Sequence, residues 1–142
     1  MEYKKMRDKA LTDAIESCRI AMRDACGGED PLESRLFEAV ARIPAPGYFI
    51  SFEYAYRLVG FWLREGEANP RGRRGQMIAE IAGKCAGQMA QYPGMSLVEA
   101  LTRVLAFGRA SSFFLSPMQI KKIYYRTRGM PRYLRRRHRK LF

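Results

Sequence analysis

The sequence predicts an all-α protein of about six helices. Apolar residues recur at three- and four-residue spacing through most of the chain. Helix-start signals stand at Asp30-Pro31, Ser51, Ser96 and Ser116, and segments with Gly and Pro separate the periodic runs. At 142 residues, 47% hydrophobic and 12% aromatic, the chain is long enough to bury one core and is not disordered overall.

The first helix is predicted over 3–25, with Met6, Ala10, Leu11, Ala14, Ile15, Cys18 and Met22 on one face, and Gly27-Gly28 ends it. Asp30 is the expected N-cap of a second helix, with Pro31 at its first position and Glu33 reaching back. That helix runs to about Ile43 and offers Leu32, Leu36, Phe37, Val40 and Ile43, until Pro44-Ala45-Pro46-Gly47 stops it. After a short apolar segment, Tyr48-Phe49-Ile50, Ser51 caps a third helix to about Arg64, with Ala55, Leu58, Val59 and Trp62 as its stripe.

Residues 65–72 are a polar linker. The fourth helix, about 74–91, carries small residues (Ala79, Ala82, Gly83, Ala86, Gly87, Ala90) over much of its surface. Ser96-Leu97-Val98-Glu99 is a capping box that opens a fifth helix with Leu97, Leu101, Val104 and Leu105 inward. Ser116-Pro117 starts a sixth, to about Arg128, held by Ile120, Ile123 and Tyr124. Gly129-Met130-Pro131 breaks it. The expected organisation is one helical domain over 1–128 and a basic tail over 129–142.

Charge is distributed unevenly. The formal net charge is +12. Residues 1–99 hold 14 basic and 14 acidic side chains, whereas 100–142 hold 12 basic ones and no acid. A neutral body with a cationic end is the layout of a polyanion binder, because a one-sign block repels itself unless a partner neutralises it. DNA or RNA is the expected partner. The expected role is regulatory, packaging or architectural. The alternatives are a structural or assembly protein, such as a virion component, or an accessory subunit of a nucleic-acid enzyme, docking an acidic partner through the basic tail, and a tail that serves only solubility. A homo-oligomer also stays open.

The two halves match each other. Glu38-Ala39-Val40-Ala41-Arg42-Ile43 parallels Glu99-Ala100-Leu101-Thr102-Arg103-Val104, and Tyr48-Phe49-Ile50-Ser51 parallels Phe113-Phe114-Leu115-Ser116. The expected repeats are about 3–64 and 74–128. Over residues 30–128 this pattern resembles a family of small basic helical proteins of gut-type bacteria and their mobile elements. In that family a Pro-Ala-Pro, aromatic, aliphatic, Ser/Thr segment enters a helix twice, and a Tyr-x-Pro-Gly-x-Ser/Thr-Leu start precedes the second copy. The matching residues here are Pro44 to Ser51 and Tyr92-Pro93-Gly94-Met95-Ser96-Leu97. The second copy departs from the pattern with Gly108-Arg109-Ala110 where prolines would stand. The resemblance implies a phage or mobile-element context and not a mechanism.

Several chemistries lack their residues. His138 is the only histidine, which excludes sites needing two imidazoles. Cys18, Cys26 and Cys85 have no metal spacing. No Gly-rich phosphate loop or nucleophile elbow is present. The residues therefore predict a non-enzymatic protein without metal or cofactor. No apolar run is long enough to span a membrane, and the start has no apolar signal core, so an intracellular, cytoplasmic protein is expected, virion-associated if phage-encoded.

Phe49 to Ala55 resembles the helix entry of small helix-turn-helix regulators, but the connection from Ile43 is longer than their usual turn, and an ordinary packed helix start explains it. The predicted binding residues lie further on. Gln119, Lys122 and Arg126 share a face of the sixth helix, with Lys121 and Arg128 beside it. Gln and Arg suit base edges and Lys suits phosphate. Tyr125 is a candidate for stacking on an unpaired base. Arg132, Arg135, Arg136, Arg137, Arg139 and Lys140 form a dense run suited to phosphate contact without sequence choice.

Overall fold

The computed structural model describes residues 2–66 and 71–127. It is all-helical: α1 (Glu2–Ala25), α2 (Glu33–Val40), α3 (Phe52–Glu65), α4 (Gly72–Gln91), α5 (Leu97–Phe107) and α6 (Pro117–Thr127).

Local chemistry sets most of the boundaries. Ser51 Oγ accepts from the Tyr54 N–H at 3.3 Å, and Ser96 Oγ accepts from the Glu99 N–H at 3.1 Å. Each bond satisfies one of the donors that a helix start leaves without a partner. Gly66, at φ 73°, closes α3 in the left-handed conformation that glycine adopts without a steric penalty. The second helix differs from expectation. It begins at Glu33 with Leu32 in the cap position and no side-chain cap, so Asp30 and Pro31 lie outside it. Leu32 is 68% exposed rather than part of the core, and Met6 of α1 is also exposed.

The chain forms two compact units. The first holds α1, α2 and α6, and the second, Pro44–Phe114, holds α3, α4 and α5. Within each unit every helix packs on the other two. Leu11 and Ile15 of α1, Leu36, Phe37 and Val40 of α2, and Ile120, Ile123 and Tyr124 of α6 are the buried centre of the first. Phe37 and Tyr124 meet there with ring centroids 5.6 Å apart. Ala55 and Val59 of α3, Ile78, Ile81, Ala82 and Cys85 of α4, and Ala100, Leu101 and Val104 of α5 fill the second. Trp62 and Leu58 are half-buried at its margin.

A small clasp completes the second unit. Ala45 and Ala110 exchange both backbone N–H···O bonds, each at 3.0 Å, as an isolated antiparallel bridge. Beside it, Tyr48 stacks with Phe114 and Phe49 with Phe113, both pairs at 6.5 Å. Among the described residues, Phe49 and Phe114 are the non-glycine ones at positive φ, 53° and 55°, each two residues before a helix-capping serine. That conformation costs about 1–2 kcal/mol in a side-chain-bearing residue, and the aromatic stacking offsets it.

Candidate nucleic-acid interface

The predicted reading face falls on α6, and the structure ties most of it into the first unit. Ser116 stands one residue before Pro117, and its N–H donates to Gln119 Oε1 at 2.8 Å. The Gln119 N–H returns a bond to Ser116 Oγ at 3.1 Å. This is a capping box, so the Gln119 side-chain oxygen serves the helix start. Tyr125 is 5% exposed. Its ring meets Tyr124 edge-on at 5.3 Å, and its hydroxyl donates to the Glu33 carboxylate of α2. A ring so enclosed offers no face to a base.

Arg126 donates to Asp8 Oδ2 of α1 at 2.8 Å, with its side chain 45% exposed. Asp8 also accepts from Arg7, so the carboxylate carries two guanidinium partners. Arg19 of α1 donates to the Tyr124 hydroxyl and lies over its ring. Lys121 is half-buried and lines a groove of about 390 Å³ with Leu32, Glu33, Phe37, Glu38 and Met118, which puts acidic side chains in its surroundings. Lys122 is exposed on the helix. Arg128, Arg132, Arg135, Arg136, Arg137, Arg139 and Lys140 lie outside the described residues.

The structure therefore separates what the helix periodicity grouped together. Gln119, Tyr125 and Arg126 are held by Ser116, Glu33 and Asp8. The last two partners lie 92 and 118 residues from theirs in sequence, so helix spacing alone does not reveal them. No helix among the described residues is long and apolar enough to cross a membrane. Among the same residues, no group of three or more His, Cys, Asp or Glu is placed to hold a metal ion.

The second unit holds a polar network and a groove that the sequence did not bring together. Tyr48 donates to Glu80 Oε2 at 2.7 Å, and the Ser111 N–H donates to the same oxygen at 3.1 Å. Burial works against the Glu80 charge, yet these bonds and Lys84 hold its carboxyl below the usual value. Burial and the Glu80 carboxylate push the Tyr48 hydroxyl far above its ordinary pKa. The groove, between α4 and α5, is lined by Lys84, Gln88, Tyr92, Arg103 and Phe107 among others. The available signal for it was the bare Gly87 position of α4, followed by an aromatic at Tyr92. No family model, curated protein or solved structure matches the chain.

Proposed function

We propose that this chain is a non-enzymatic nucleic-acid-binding protein that grips the phosphate backbone, in the setting of a phage or other mobile element. The observation that carries the reading is the charge layout. The whole net charge of +12 follows Glu99, in a stretch with no acidic residue. Arg-rich runs suit phosphate geometry, and neutralising phosphates releases condensed counterions, which drives binding without reference to sequence.

The local geometry of α6 sharpens the proposal. With Tyr125 buried, Gln119 Oε1 capping α6 and Arg126 paired with Asp8, base reading from this helix has fewer uncommitted side chains. Lys122 and the basic residues from Arg128 to Lys140 then carry the contacts, and these favour backbone over base edges. Binding should be strong at low salt and nearly indifferent to sequence. Fluorescence anisotropy of the full chain with several unrelated duplexes and structured RNAs tests this. Affinities within a few-fold of one another support it. No binding even at low salt removes it and turns the assignment to an acidic protein surface.

A further inference from the structure

The groove of the second unit carries a binding chemistry that the exposed part of α6 lacks. It has a volume of about 760 Å³ between α4 and α5. Lys84 and Arg103 bring two cations to it, and no carboxylate is among its lining residues within the described chain. Two aromatic rings stand at it with much of their surface in water: Tyr92 is 46% exposed and Phe107 85%. The Arg103 guanidinium lies over the Tyr92 ring, 5.6 Å from its centroid, so cation and ring are positioned together. Lys84 Nζ donates to the Arg109 carbonyl at 2.5 Å, lies 5.1 Å from the Tyr48 ring centroid and acts on the Glu80 carboxylate, so part of its charge is already answered within the unit.

Two further features lack an internal explanation. Gln88 Oε1 is buried without a hydrogen-bond partner among the described residues, although its side chain belongs to the groove wall. An unpaired buried acceptor is costly, and a turn of the soft terminal torsion presents it to an entering donor. Gly87 sits in the interior of α4, where glycine weakens a helix. A Cβ at that position meets nothing within 4 Å. The fold does not require the glycine, and a side chain there would enter open space at the groove wall.

We infer that this groove binds an unpaired nucleotide of a single-stranded nucleic acid. The inference takes its partner class from the proposed function but concerns a separate site. Phe107 and Tyr92 offer faces for base stacking, Lys84 and Arg103 meet the flanking phosphates, and the Gln88 amide meets the base edge. A duplex keeps its base faces stacked and leaves the aromatics unused. An acidic peptide would engage the cations and leave the same rings in water.

The test is anisotropy of the full chain with labelled oligo-dT and oligo-U of roughly 12 nucleotides, and with a duplex of similar length. Phe107→Ala removes a ring that is 85% exposed, and Gly87→Leu fills the groove from open space and replaces a helix-interior glycine, so neither variant should melt below the parent. Each should weaken single-strand binding by roughly 5- to 150-fold and leave duplex binding unchanged. A preference between oligo-U and oligo-dT that both variants abolish supports the site and tells RNA from DNA. Single-strand binding unaltered in both variants overturns the groove and leaves the backbone-binding reading in place. Phe107-dependent single-strand binding without duplex binding does the reverse. A parent chain that binds neither probe overturns both.

Discussion

Tyr125→Phe separates a structural role from a binding role at one atom. The ring is 5% exposed and packs edge-on against Tyr124, while its hydroxyl donates to Glu33. Phenylalanine keeps the ring and removes only the O–H. A hydrogen bond to a charged group contributes about 1.5–3 kcal/mol. Glu33 is half-buried, so water partly replaces the lost donor and the low end, about 1.5 kcal/mol, is expected. Tyr125→Ala also removes the ring and should cost about 3–5 kcal/mol in total. Urea unfolding followed by far-ultraviolet circular dichroism measures both. With a slope of about 1–3 kcal/mol/M, Tyr125→Phe should lower the midpoint by roughly 0.5–1.5 M at unchanged slope. The Glu33→Gln and Tyr125→Phe losses should be non-additive, because both act on one bond. A Phe variant with the parent's midpoint would refute this reasoning, and a Tyr125→Ala variant that unfolds at the parent's midpoint yet binds nucleic acid several-fold more weakly would return Tyr125 to base stacking.

Two other predictions concern ionisable groups in the second unit and thiols across the chain. The Glu80 carboxyl is held below its ordinary value of 4.5, so its stabilising contribution is complete at neutral pH and fades as pH falls through the lowered value. The urea midpoint of the parent should therefore exceed that of Glu80→Gln at pH 7, and the gap should shrink on acidification to about pH 3; a gap that stays constant contradicts the network. Among the thiols, Cys26 is exposed, Cys18 is half-buried with its pKa raised by burial, and Cys85 is fully buried with its pKa pushed up to about 11. A thiol reagent should label Cys26 first, Cys18 more slowly and Cys85 only on unfolding; rapid labelling of Cys85 in the folded protein contradicts its place in the core.

Local signals in the sequence account for the helices and the capping serines. Ser51 and Ser96 cap as expected because the chemistry lies within three residues. The apolar spacing of Ile120, Ile123 and Tyr124 likewise found the buried side of α6. At α2, Asp30-Pro31 imitates a helix start, yet the helix begins at Glu33 without a side-chain cap. The pairing of helices was not legible, since periodicity shows that a face is buried but not against what. Hence α6 joins α1 and α2 in one unit, and α3 joins α4 and α5 in the other. The same gap explains the candidate site. Gln119 could have been recognised as a capping residue, because Ser116 lies three positions before it. The partners of Tyr125 and Arg126 are set by tertiary packing alone. The α4–α5 groove also depends on two neighbouring helices facing each other, and it brings Lys84 of the charge-balanced part of the sequence to Arg103 of the basic part.

The most direct test of backbone binding is the salt dependence of duplex affinity for the full chain. If roughly five phosphates are neutralised, log K falls against log salt with a slope of about −4 to −5, at about −0.9 per phosphate. Arg136→Ala should lower affinity for every sequence alike and flatten the slope by about one unit. Binding that is indifferent to salt between low and physiological concentrations would contradict phosphate contact and remove nucleic acid as the partner of the basic segment.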